Sequence, residues 1–352
     1  MADFDALKTF LPGQAAFCRG AGSPTSALVI EAMAQRLGEG GPFDDFLRPW
    51  AEASGRTIYD AAAPLRALGA LHYLVLSGRA PELAALYTEA EPDPVALAAA
   101  IDAAARAHAP LFAPFMASPP QTNEVGRSLA LVGGFLEVVA KTGLPLRCLE
   151  LGASAGLNMN WSRFGYRFGE GAGWGDPGAP VQLSGAWTGG TPPHPAVEVV
   201  ETLGCDQNPI DVRDEDAALR LQSYVWVGQT LRMQRLRGAI QLMRQTGAGL
   251  VRADAADWAE THVHPTPGLA TVVYHSVFLQ YPPKATQARI RAAIEAAGAA
   301  ATADAPVAWL RLEPDPANVG GPMEVRLTAW PDGEERLLAR AHPHGASVDW
   351  LG

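Results

Sequence analysis

From residue 146 onward the chain sets short apolar runs, at 146–151, 197–205, 249–253, 270–275 and 307–312, between longer stretches rich in helix formers. A strand buried on both faces reads as a near-continuous apolar run, and parallel strands need a crossover long enough to be a helix. The alternation therefore predicts a parallel sheet wrapped by helices. The clearest helices are expected at 219–245 and 285–297, where apolar residues recur three and four apart. The chain ends differently. Residues 323–330 and 336–341 flank Pro331-Asp332-Gly333, and Asp-Gly supplies the positive φ that hairpin turns require, so an antiparallel hairpin is expected there. No repeat of solenoid or propeller period occurs.

Residues 1 to about 120 predict only helices broken by Pro and Gly. Ser23-Pro24 and Asp93-Pro94 each place a side-chain acceptor at a cap and proline in the first turn. Leu65, Leu68, Leu71 and Leu74 mark one amphipathic helix that stops at Ser77-Gly78. After Pro119-Pro120 a further helix is expected over 121–142. A chain of 352 residues, at roughly 150 per domain, suggests two units. They are a helical domain at 1–120 and an α/β domain at 121–352, the latter with an insertion at about 160–196. That insertion carries Trp161, Phe164, Tyr166, Phe168, Trp174 and Trp187, and suits either a lid or a packed excursion.

Composition narrows the class. With 48% hydrophobic and 18% charged residues the chain can bury a large core. Its apolar runs fall short of the roughly 20 residues a spanning helix needs, so no membrane association is expected. Asp3 and Asp5 precede a weakly apolar stretch ending at Pro12, unlike a secretory signal, and a cytoplasmic location is expected. Cys18, Cys148 and Cys205 are far apart and imply neither disulfides nor a thiolate metal site. The net charge of −10 argues against nucleic acid as a partner.

The segment with most chemistry is Leu149-Glu150-Leu151-Gly152-Ala153-Ser154-Ala155-Gly156-Leu157-Asn158, where the first strand turns into a helix. Glycines 152 and 156 with small residues between them let a ligand approach the backbone closely. Glu150, at the strand tip, is placed to order this loop or to meet a cationic part of a ligand. A dinucleotide fingerprint fails twice, since Ser154 and Leu157 stand where its second and third glycines belong. Gly152-Ala153-Ser154-Ala155-Gly156 matches the G-x-S-x-G nucleophile elbow, although that elbow normally follows several strands and here everything earlier predicts helix. The third match is the acidic-x-Gly-x-x-x-Gly motif of methyltransferases. It requires an acid at the tip of the second strand to take both ribose hydroxyls, and Gly204-Cys205-Asp206-Gln207-Asn208-Pro209 supplies Asp206. The third strand should end near an acid or amide for the adenine, and Asp254 follows it. The fourth leads through Tyr274-His275-Ser276 to Gln280 and Tyr281.

In this order the chain resembles class I S-adenosylmethionine-dependent methyltransferases over about 121–352. More closely, and over nearly its whole length, it resembles the bacterial domain-of-unknown-function family 2332. The residues carrying that match are QTNEVGRS from Gln121, ELGASAGLN from Glu150, Gly175-Asp176-Pro177, GCDQNP, Ser223-Tyr224-Val225-Trp226, YHSV and Ala341-His342-Pro343-His344-Gly345. The methyltransferase resemblance implies a Rossmann-like sheet, mostly parallel with a C-terminal antiparallel hairpin, preceded by an all-helical N-terminal domain. It also implies S-adenosylmethionine as cofactor, held by Glu150, Gly152, Ala153, Ser154, Gly156, Asn158, Asp206, Gln207, Asn208, Asp254 and Ala255. The long connection after the first strand and the scarcity of helix between 312 and 323 depart from that fold. His275 is expected as general base and Tyr281 as a substrate-positioning group. Asn123, Glu124 and Arg127 are expected to line the substrate site, whether for a small molecule or a protein. His342 and His344 lack a third convergent ligand, so no metal is expected. The alternatives are a serine hydrolase using Ser154, His275 and Asp254, and a nucleotide-binding module without turnover.

Overall fold

A computed structural model describes residues 4–89, 91–315, 318 and 321–352. Asp3, part of the expected non-secretory N-terminus, lies outside the described residues, as do residues 316, 317, 319 and 320 of the stretch expected to hold little helix. The chain divides into two units, Met1–Thr122 with Asp214–Met233, and Asn123–Arg213 with Gln234–Gly352.

The first unit is helical: α1 (Asp5–Gly20), α2 (Pro24–Arg36), α3 (Pro42–Leu47), α4 (Gly55–Ala61), α5 (Ala63–Leu76), α6 (Pro81–Tyr87), α7 (Pro94–Ala107) and α8 (Ala109–Met116). Asp93 caps α7 as its sequence predicts, accepting from the amides of Val95 and Ala96. Ser23 does not cap α2. Its hydroxyl instead donates to the carbonyl of Val227 at 2.6 Å, while Ser26 Oγ accepts from the Val227 amide at 3.1 Å. The Ser223–Trp226 motif is thereby tied into the helical unit, where the ring of His72 also meets the Ser223 carbonyl. Among the described residues no single helix is long and apolar enough to cross a membrane.

The second unit opens with α9 (Arg127–Thr142) and β1 (Leu146–Leu151). The insertion follows as β2 (Gly165–Phe168), β3 (Ala172–Gly175), β4 (Gln182–Ser184) and β5 (Ala186–Gly189), and leads to β6 (Val199–Asp206). The chain then passes through α10 (Glu215–Ser223) in the first unit and re-enters the second within α11 (Thr230–Thr246). The single helix expected over 219–245 is thus two, separated where Ser223 to Val227 join the helical unit. After these come β7 (Gly249–Arg252), α12 (Ala255–His262), β8 (Ala270–Ser276), α13 (Lys284–Ala299), β9 (Val307–Pro314), β10 (Met323–Trp330), β11 (Glu334–Ala341) and β12 (Ser347–Trp350).

Nine strands form the main sheet in the order β5-β12-β11-β10-β9-β8-β1-β6-β7. From β7 to β9 every neighbour is parallel. β10, β11 and β12 continue antiparallel from β9, so the expected hairpin is present and extended by one strand. Leaving β1, the chain builds outward to β6 and β7, then returns to β8 on the other side of β1. In open sheets of this kind ligands sit outside the carboxyl ends of the strands where the order reverses. Helices cover both faces: Leu310 of β9 meets α9, while its neighbour Trp309 packs with Trp258 of α12 and with Ile290 and Ile294 of α13. The approach of α9 depends on Gly134, where a Cβ would lie 2.3 Å from Leu310 Cδ1.

Candidate functional site

All six residues of β1 are buried, and the chain leaves the strand through a bend of unusual backbone. Gly152 has φ +67° and Ser154, which is not a glycine, has φ +56°. A left-handed residue with a side chain persists only where its surroundings hold it. Here the Ser154 amide donates to Asp206 Oδ2 at 2.9 Å, its carbonyl accepts from the Ile210 amide at 3.0 Å, and the Ala153 amide donates to the Cys205 carbonyl at 3.0 Å. The tip of β6 therefore fastens the bend. Asp206 Oδ1 accepts from the Asn208 amide at 2.8 Å. Each carboxylate oxygen can accept twice, so acceptor capacity is left on both.

The neighbouring tips join the same cluster. Arg252 Nη1 donates to the Gln207 carbonyl and to Asn208 Oδ1, both at 2.9 Å, and Gln207 Nε2 donates to Asp254 Oδ2 at 3.4 Å. Asp254 also caps α12, taking the amides of Ala256 and Asp257, with buried Ala255 as the first helical residue. From the other side, Asn123 Oδ1 accepts the Leu157 amide at 2.8 Å, the Glu124 carbonyl accepts from Asn158 Nδ2, and Ser128 Oγ donates to Asn158 Oδ1. The expected helix start at 121 moves to Arg127 for this reason. The Asn123 side chain is spent on Leu157 and the Glu124 carboxylate on the Gly126 amide, local bonds that compete with a helical turn. Arg127 Nη1 and Nε donate to the carbonyls of Ser276 and Pro343, which anchors the His342–His344 turn at the carboxyl end of β8. Thus Glu150 to Asn158, Asp206 to Asn208, Asp254, Asn123, Glu124 and Arg127 form one bonded cluster.

The expected general base is not among them. His275 is wholly buried, and the Trp309 indole N–H donates to its Nε2 at 3.0 Å, so Nδ1 carries the proton and donates to Glu313 Oε1 at 2.6 Å. Both ring nitrogens are used in bracing β8 against β9. Ser154 Oγ, the nucleophile of the G-x-S-x-G alternative, is buried with no hydrogen-bond partner among the described residues, so His275 does not bond it. Tyr281, expected to position substrate, is 73% exposed. His342 and His344 face each other edge to plane at 5.5 Å within their turn.

Sequence reasoning missed the groups that shape the loop after β8. Glu313 Oε1 also accepts the amides of Phe278 and Leu279 at 2.9 and 3.2 Å. Burial works to raise this carboxyl, but the His275 bond and those two amides outweigh it and leave it below the ordinary range. Val277, just before them, has φ +51°, a rare conformation for a β-branched residue. The loop delivers Phe278 to the bend, where a Cβ on Gly152 would lie 2.2 Å from Phe278 Cδ2. The close approach that requires glycine at 152 is therefore made by the chain's own ring. No pattern in the sequence marks Glu313 or Phe278, because their role comes from strands distant in the chain.

Glu150 is 3% exposed and, among the described residues, accepts one bond, from Tyr274 Oη at 3.2 Å. Burial pushes its carboxyl up to about 8, with the Asp206 charge raising it and the Tyr274 bond and Arg127 charge opposing. Burial likewise pushes the thiols of Cys148 and Cys205 up to about 12. Beside them the insertion packs rather than hanging free. Trp161 stacks on Phe135 at 4.0 Å, Phe164, Tyr166 and Phe168 are buried, and Trp187 lies 4.8 Å from Phe168.

A family profile described as an uncharacterized protein conserved in bacteria (DUF2332) matches residues 9–350. No curated protein and no solved structure matches the chain.

Proposed function

We propose that this chain, which belongs to the bacterial domain-of-unknown-function family 2332, binds S-adenosylmethionine at the carboxyl ends of β1 and β6 and passes its methyl group to a small-molecule or protein acceptor. The observation that carries this is the bond between the Asp206 carboxylate and the Ser154 amide. It sets a strand-tip acid with spare lone pairs against a small-residue bend, beside the reversal of strand order, which suits a sugar bearing a vicinal diol. The donor set fits the group: Asp206 for the ribose hydroxyls, Asp254 and Gln207 toward the base, and the buried, singly bonded carboxyl of Glu150 toward the cationic end. When bound, the cofactor supplies an electrophilic methyl group. The chain's contribution is to orient and to keep water out. Phe278 packs against the bend at Gly152, Arg127 and Glu313 fix the loop after β8, and the strained Ser154 and Val277 are held ready by those bonds.

A binding module without turnover is the second possibility, favoured by one observation. With His275 engaged at both nitrogens and Tyr281 at the surface, neither residue expected to act on the acceptor is placed to do so. A thermal-shift screen against S-adenosylmethionine, S-adenosylhomocysteine, NAD and acyl esters separates the classes. Stabilisation by the first two alone supports the proposal, and a response only to NAD or an ester defeats it. Methyl incorporation into cell extract then distinguishes a transferase from a binder.

A further inference from the structure

Glu150 sits where a carboxylate is poorly supported. It is at the carboxyl end of β1, 3% exposed, with a neutral phenol as its single hydrogen-bond donor among the described residues. A buried carboxylate normally takes two or more donors or a cation in contact, and without them the neutral acid is favoured. The groups facing it from the packed elements do not supply that support. Asp206 on β6 adds a like charge, the thiols of Cys148 on β1 and Cys205 on β6 are held neutral by burial, and Tyr274 on β8 keeps its proton for the same reason. Tyr166 on β2, which faces Tyr274, is also held protonated by burial. Arg127 on α9 supplies an attractive charge, but its guanidinium bonds the carbonyls of Ser276 and Pro343.

We infer that Glu150 holds a proton when no cationic ligand is seated and releases it to solvent when a sulfonium- or ammonium-bearing ligand binds against it, so that binding is linked to pH. This rests on the S-adenosylmethionine assignment above and adds its regulation. The O–H bond of the carboxyl breaks, the electron pair stays on the oxygen, and the proton passes to buffer. A carboxyl pushed up to about 8 by burial is poised for this near neutrality.

Titration calorimetry of the full chain with S-adenosylmethionine, at about pH 7 in phosphate and in Tris, reads the proton directly, because the two buffers absorb protons with different heats. Wild type is expected to release up to about one proton per ligand, and Glu150→Gln markedly less. Tyr274→Phe removes the one donor to the carboxylate, and its release is expected to persist to higher pH than in wild type. Binding with equal proton release in wild type and Glu150→Gln overturns the inference while leaving the cofactor assignment intact. Absence of binding heat in both buffers overturns the cofactor assignment and this inference with it.

Discussion

Two titratable carboxyls in the same sheet, one buried and one part-buried, are stabilised in opposite ways. Glu313 is held charged by donors, whereas Glu150 has one donor and is held neutral by burial. The second case sets a sign for stability. The folded chain keeps on Glu150, up to about 8, a proton that the unfolded chain gives up near 4.5. Its contribution is therefore complete below the lower value and is lost as pH rises through the upper one. The wild-type melting temperature should fall between about pH 6 and about pH 9, by roughly 3 °C or more beyond any fall in Glu150→Gln. Equal slopes in the two proteins would show that the carboxyl titrates normally. His275→Ala should cost about 2–4 kcal/mol of stability, because it leaves the Trp309 N–H and the Glu313 carboxylate without their partner, and denaturant unfolding measures this. A variant that unfolds like wild type yet loses transfer would restore His275 as a base.

Among the elements, those with their own pattern were legible and those defined by partners were not. The five parallel strands carry apolar runs, and the hairpin carries Asp-Gly, so both can be read from the amino-acid order alone. β12 and β5, at four residues each, pair edge to edge far apart in the chain, and no periodicity that short distinguishes a strand from a loop. The break between α10 and α11 was hidden because residues 224–229 continue the apolar spacing, while their burial is in another unit. At the site, the juxtaposition of Asp206 with the bend follows from strand order. The roles of Tyr274, Phe278 and Glu313 depend on side-chain directions that only packing sets. Packing also makes α9 sensitive at one point. Gly134→Val should lower stability by roughly 1–3 kcal/mol, since even the added Cβ would lie 2.3 Å from Leu310 Cδ1 of β9. Unchanged denaturant stability would mean that α9 lies farther from the sheet.

On the scale of the whole chain, one stretch, Asp214–Met233, leaves the α/β unit eight residues after Asp206 and is built into the helical one. Residues from Asn123 through Pro343 nonetheless meet at a single end of the sheet within the second unit. That convergence makes ligand binding separable from folding. The most direct measurement is calorimetric affinity for S-adenosylmethionine in wild type and in Asp206→Ala, each checked by its melting curve. Saturable binding by wild type, weakened at least about tenfold in a variant that still melts cooperatively, is the expected result. No binding by wild type, or equal affinity in the two, would contradict the assignment of this end of the sheet to an adenosyl ligand.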